Sequence, residues 1–186
     1  MSGFLASSAH AGLVGVKSIE IKNAISTWLQ VAEVNALNMS SADVASAANA
    51  VATAPDSWDA TTLPANAIDG VTSGVYESGQ IFHEGNPISF DTLTITLNAV
   101  QELTFFEIYG RTQCPACAGR DVYDITFKDA GGATLHFLDN LDATNANHYA
   151  SATLPNTSQQ VPEPASLVLL GLGLIGLAAS GRKTKS

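Results

Sequence analysis

Apolar and polar residues alternate with a period of two through most of the chain from Ser18 onward, and this constrains the fold more than any other feature. In residues 122–128, Tyr123, Ile125 and Phe127 alternate with Asp124, Thr126 and Lys128. In residues 88–97, Leu93, Ile95 and Leu97 alternate with Thr92, Thr94 and Thr96, and near the start Ile19 and Ile21 alternate with Glu20 and Lys22. Successive side chains of a strand point to opposite faces, so this pattern is that of half-buried β-strands. Further strands are expected over residues 28–37, 103–109, 134–138 and 149–154, with Ala130-Gly131-Gly132-Ala133 as a tight turn. In residues 28–37, Leu29, Val31 and Glu33 share one face and Trp28, Gln30 and Ala32 the other. The Ala- and Ser-rich residues 39–55 read as a surface loop with a short helical turn, the alternative being a helix capped by Ser40 or Ser41. Residues 57–79 are rich in Asp, Thr, Asn, Pro and Gly and read as loop. Many short strands separated by turn signals predict an all-β antiparallel sandwich.

The C-terminus has a different grammar. Val161-Pro162-Glu163-Pro164 is followed by an apolar run from Ala165 to Ala179, broken only by Ser166, and by Arg182, Lys183 and Lys185. The prolines fix φ and remove backbone donors, so no helix continues through them into the body. As a single hydrophobic helix over residues 165–180, the run is about 22 Å long at 1.5 Å per residue. That is shorter than the usual spanning segment, and thinning of the bilayer or snorkelling of the basic end would let it cross. Residues 161–186 closely resemble the PEP-CTERM sorting signal of Gram-negative bacteria. The resemblance implies export by the general secretory route and transient residence in the inner membrane through the tail. It also implies processing near Pro162, Glu163 and Pro164 by an exosortase, and delivery to the cell surface or extracellular matrix. The basic end suits the cytoplasmic side. Such a tail is an address and says nothing of what the body does.

The chain has 186 residues and a formal net charge of −9. Glu163 is the only acidic residue of the tail, which leaves 16 in the body against Lys17, Lys22, Arg111, Arg120 and Lys128. Without a basic stripe to displace counterions from phosphate, a nucleic-acid partner is not expected. The acidic surface suits solubility outside the cell and offers oxygen ligands to calcium. Residues 12–154 are long enough for one domain with its own core, and 155–160 form a linker. Ser8-Ala9-His10-Ala11 looks like the end of a signal peptide, so residues 1–11 read as its remnant and a full leader is expected upstream of Met1. In an exported protein the adjacent Cys114 and Cys117 are expected to form a disulfide. Their spacing is also that of redox pairs, but those start a helix in a βαβ setting. A zinc site would need two more soft ligands, and His10, His136 and His148 are scattered.

Four pieces of the body resemble a galactose-binding-like, discoidin-type jelly roll. Trp28-Leu29-Gln30-Val31-Ala32-Glu33-Val34 is similar to the family's first core strand, and Ala67-Ile68-Asp69-Gly70 to its Ala-x-Asp-Gly loop. Residues 88–97 stand at its long strand, and Phe106-Glu107-Ile108-Tyr109-Gly110-Arg111 is similar to the strand ending in Gly-Arg. The resemblance implies a structural calcium ion with Asp69 and Thr72 among its ligands. The alternative for Asp69-Gly70 is a plain turn, with the carboxylate bridging backbone amides. Fucolectin-type members bind sugar through a His, an Arg-x-Asp and a second basic residue beside a cysteine pair. His83, Arg111 and Arg120 match in order, although Gln113 stands where those relatives carry the Asp. Guanidinium forks and an imidazole donate well to sugar hydroxyls. The alternative is that Arg111 pairs with Glu107 or Asp121 to hold the loop and that His83 is a surface residue. Trp58, between Asp56 and Asp59, is either a stacking platform for a sugar or a plug in one end of the sandwich, while Trp28 reads as core or core edge.

No catalytic signature is present: there is no Gly-x-Ser-x-Gly, no His-Glu-x-x-His and no phosphate loop. The expectation is therefore a non-enzymatic, exported β-sandwich that binds saccharide or exopolysaccharide. Its rival is a structural or adhesive matrix protein with no specific sugar ligand.

Overall fold

The computed structural model describes residues 12–25, 27–86 and 91–157. The expected signal-peptide remnant, the Pro162-Glu163-Pro164 motif, the hydrophobic helix of the tail and residues 88–90 of the expected long strand lie outside the described residues. The described chain is mainly β and antiparallel. Its strands are β1 (Leu13–Asn23), β2 (Gln30–Val31), β3 (Glu33–Asn38), β4 (Ala50–Thr53), β5 (Phe82–His83), β6 (Leu93–Tyr109), β7 (Val122–Lys128), β8 (Thr134–Asp142) and β9 (Tyr149–Thr153). Seven of them form one sheet, while β2 and β5 pair separately as a short ribbon. Among the described residues no helix is long and apolar enough to cross a membrane.

The long strand β6 organises the sheet because it changes partners along its length. Its first part, residues 94–97, lies between β4 and β1, and its last part, residues 105–109, lies between β3 and β9. The sequence pattern predicts two strands here, over residues 88–97 and 103–109; the backbone runs on through both as one strand of 17 residues. Its buried residues switch parity on the way, from Leu93, Ile95, Leu97 and Leu103 to Phe106 and Ile108. A register shift against β3 between Leu37 and Asn38 accompanies the switch. An extra residue in one strand of a pair turns the following side chains to the other face. The same device acts twice in β1, at Val14/Val16 and Val16/Ser18, and it brings Leu13, Val16, Ile19 and Ile21 all into the core. On β7 no correction is needed: Tyr123, Ile125 and Phe127 are all fully buried, as strict alternation requires. Phe106 meets Phe127 edge-on with ring centroids 5.5 Å apart, the arrangement favoured by aromatic quadrupoles. Each such ring contributes roughly 1.5–3 kcal/mol through burial.

Two local expectations are corrected. The strand expected over residues 28–37 breaks at Ala32, whose N–H donates 2.7 Å to Tyr109 O. The first piece, β2, leaves the sheet to pair with β5, and the second, β3, pairs with β6. Residues 29–34 are consequently buried on both faces, Glu33 included. The Ala- and Ser-rich stretch expected as loop holds turns up to Asn49 and then β4, which covers the edge of β6. Ala50-Val51-Ala52-Thr53 has no strong period of its own; an unpaired edge of β6 supplies the reason for the strand. Asp43 shapes the preceding turn by accepting from Ala36 N and Ala45 N.

Candidate functional site

One end of the β2–β5 ribbon forms the floor of a cavity of about 300 Å³ lined by Trp28, Trp58, Tyr76, His83 and Arg111. The ribbon register sets Gln30 opposite His83. His83 Nδ1 lies 2.7 Å from Glu84 O, and since a carbonyl only accepts, Nδ1 carries the proton. Nε2 then accepts from the Gln30 side-chain amide at 2.6 Å. Both ring nitrogens are thus used internally, and the ring is almost wholly buried. Burial is the main cause holding the His83 pKa below its ordinary value, and the charges of Arg111 and Arg120 push the same way; the Glu84 carbonyl and Asp59 act against them. The sequence reading gave His83 the task of donating a hydrogen bond to a ligand, with a surface residue as the alternative. The geometry corrects both: His83 is a buried, neutral imidazole that offers the cavity a ring face.

The aromatic wall closes around that ring. Trp28 and Trp58 meet edge to face at 5.2 Å, and their centroids lie 5.2 and 5.7 Å from that of His83. Trp58 is half exposed, at 52%. Its loop is nonetheless held, because Trp58 N donates to His83 O and His83 N donates to the Thr62 carbonyl. Asp59 closes the same loop by accepting from Thr61 N and Thr61 Oγ1. These donors, the Thr61 hydroxyl above all, hold the Asp59 carboxyl below its ordinary pKa. Tyr76 opens a short 3-10 turn, Tyr76–Ser78, and its hydroxyl donates 3.1 Å to Asp59 Oδ2.

Arg111 follows β6 directly, and its guanidinium carbon lies 4.4 Å from the centre of the Tyr76 ring, a cation–π contact. No carboxylate forms an ion pair with it among the described residues, and its Nε is buried without an acceptor. The expected alternative partners are occupied elsewhere. Glu107 accepts from Asn35 and Tyr149 Oη, and Asp121 is held by His148 at 2.7 Å and by Tyr123 Oη. Two glycines bring the loops together. Gly74, at φ +64°, lets residues 73–74 accept from the Thr112 hydroxyl and amide, and a Cβ there would sit 2.5 Å from Gly110 O. A Cβ at Gly110 would strike the Asp121 carboxylate at 2.4 Å.

Cys114 and Cys117 are paired, with Cα atoms 5.1 Å apart, and Cys117 N and Arg120 N each donate back along the loop. Gln113, the departure from the lectin pattern, takes a left-handed φ of +46° and is exposed, away from any role in orienting Arg111. Arg120 O accepts from Asn23 Nδ2 at 2.6 Å, which pins the far end of the loop to β1. The Arg120 side chain is near enough to His83 to lower its pKa, but it does not line the cavity.

Of the four residues expected to meet a sugar, Trp58, His83 and Arg111 therefore converge and Arg120 is not among the lining residues. Trp28 and Tyr76 were not expected in the site. Tyr76 was open to discovery as a lone aromatic in a polar, Gly-rich stretch, a composition that spends an aromatic ring on a loop. Asp69 Oδ1 accepts from Val71 N, a local turn, and Gly70, at φ +88°, donates its N–H to Glu33 Oε2. Among the described residues no three His, Cys, Asp or Glu side chains converge to hold a metal, at Asp69 and Thr72 or elsewhere.

The family model of the PEP-CTERM protein-sorting motif matches residues 160–183. The motif marks the chain as an exported protein sorted by an exosortase, and it implies a place at the cell surface or in the extracellular matrix. No curated protein and no solved structure matches the chain.

Proposed function

We propose that this chain is a non-catalytic saccharide-binding module of a galactose-binding-like jelly roll, displayed outside the cell after exosortase processing. The tail holds it transiently in the inner membrane before cleavage near Pro162-Glu163-Pro164. The observation that carries the reading is the meeting of Trp28, Trp58, Tyr76 and the His83 face with an ion-pair-free Arg111 in one small cavity. Aromatic faces suit the C–H side of a pyranose, and a guanidinium fork suits vicinal oxygens. The cavity lies at the small end of ligand sites, room for a single sugar residue. The partner change along β6 and the Ala67-Ile68-Asp69-Gly70 turn support the jelly-roll assignment.

The test is a glycan array probed with the labelled full chain in detergent. Retention of a defined set of glycans is expected, with Trp58→Ala and Arg111→Ala each weakening it about tenfold or more, the worth of one stacking or charged contact. A chain silent on every glycan would sink the reading and favour a matrix scaffold.

A further inference from the structure

Arg111 lines the cavity, and its Nε is buried without an acceptor. The body carries 16 acidic residues and only five basic ones, so every cation has an excess of carboxylates to choose from. Among the described residues only Lys128 takes one, Glu20 at 2.6 Å; Arg111 forms no ion pair, and neither do Arg120, Lys17 and Lys22. Four carboxylates accept from other donors. Asp59 is held by Thr61 and Tyr76, Asp121 by His148 and Tyr123, Glu107 by Asn35 and Tyr149, and Glu84 is buried and holds Leu29 N. His83, the one titratable group in the cavity floor, is locked neutral by its two hydrogen bonds.

The cavity therefore combines apolar faces with a guanidinium that has no ion-pair partner among the described residues. A buried guanidinium N–H without an acceptor costs free energy in the empty site, and a ligand oxygen that accepts from it relieves that cost. Carboxylate geometry, planar and two-oxygen, is the match for a guanidinium fork.

We propose that the cavity selects an acidic pyranose, a hexuronate residue of a polysaccharide, with its ring against Trp58 and Trp28 and its carboxylate received by Arg111 with Arg120 behind. This assignment rests on the saccharide-binding reading and adds the charge of the ligand to it. An acidic polymer would otherwise be repelled by a chain of net charge −9, so the arginine pair also supplies the local attraction that docking requires.

The experiment is calorimetric titration of the full chain with oligosaccharides of galacturonate, glucuronate and mannuronate, each beside the neutral product of its own carboxyl reduction. The pairs share stereochemistry and differ only in charge. At least one acidic member is expected to bind about tenfold more tightly than its reduced partner, one charged contact's worth. That ratio should shrink as salt is raised, and should fall toward one in Arg111→Gln and Arg120→Gln. Equal binding of acidic and reduced forms overturns the charge assignment while leaving saccharide binding intact. Preference for a sulfated oligosaccharide over every uronate overturns the hexuronate choice. A ratio unchanged in both arginine variants overturns the placement. Failure of every oligosaccharide, neutral or acidic, overturns the saccharide reading underneath.

Discussion

The guanidinium of Arg111 rests on the face of Tyr76 at 4.4 Å, while the hydroxyl of the same tyrosine donates to Asp59. One residue thus meets the guanidinium with its ring face and the Asp59 carboxylate with its hydroxyl.

Tyr76→Phe keeps the ring and removes the tether to Asp59. Its cost to stability should be small, on the order of 1 kcal/mol or less for one exposed hydrogen bond. Asp59 Oδ2 is then without its donor while Oδ1 stays with Thr61, and the released oxygen competes for Arg111, so acidic-ligand affinity should drop in Tyr76→Phe and return in Tyr76→Phe combined with Asp59→Asn. Calorimetry on the three chains measures this, and an affinity that does not respond to Asp59→Asn would discard the role given to the tether.

The part-buried His148 bonds the buried Asp121 at 2.7 Å at the base of the loop bearing both arginines. Burial raises the Asp121 pKa, opposed by the bonds from His148 and Tyr123. Removing one partner leaves the other buried and short of a donor, a loss of about 3 kcal/mol in comparable cases. His148→Ala should lower the unfolding free energy read from urea denaturation by about that much and weaken ligand binding, whereas His148→Gln, which still carries a donor, should recover part of both.

Stability should fall as pH rises through neutrality. Burial lifts the carboxyls of Glu33 and Glu84 to about 7, and each has one oxygen without a partner. Between their unfolded pKa near 4.5 and about 7 the folded chain holds protons that the unfolded chain has released. The stabilisation is thus complete below that window and lost across it, up to roughly 3 kcal/mol for each group. His83 works in the opposite sense, since its depressed pKa costs stability as pH falls through its unfolded value. Denaturation at pH values on either side of the window should show a lower midpoint at the alkaline side, and Glu33→Gln with Glu84→Gln should flatten the difference. Equal midpoints in the parent chain would falsify this account.

The tail makes a separate prediction. A carrier protein exported with residues 155–186 at its C-terminus should be shortened only in cells that contain an exosortase. Replacing Pro162, Glu163 and Pro164 by alanine should leave the fusion full-length, as read by mass spectrometry.

Much of the architecture was legible because it is written in short range. Alternation in residues 122–128 gave β7 with its buried Tyr123, Ile125 and Phe127, and the glycine turn at 131–132 gave the hairpin into β8. The break at Ala32 was not legible, since residues 29–34, polar Gln30 and Glu33 included, are buried on both faces between two different partners. Nor was β4, whose four residues owe their conformation to the edge they cover.

The sequence by itself determined that the body would be built of antiparallel strands and that its C-terminus would carry a sorting motif, because periodicity and short motifs reside in neighbouring residues. Only the tertiary structure decided that Trp28, Trp58, Tyr76, His83 and Arg111 share one cavity, that both nitrogens of His83 are spoken for, and that Arg111 lacks a carboxylate. Those facts depend on strand pairing and loop closure between segments far apart in the chain, and no local pattern encodes which distant donor reaches a carboxylate first.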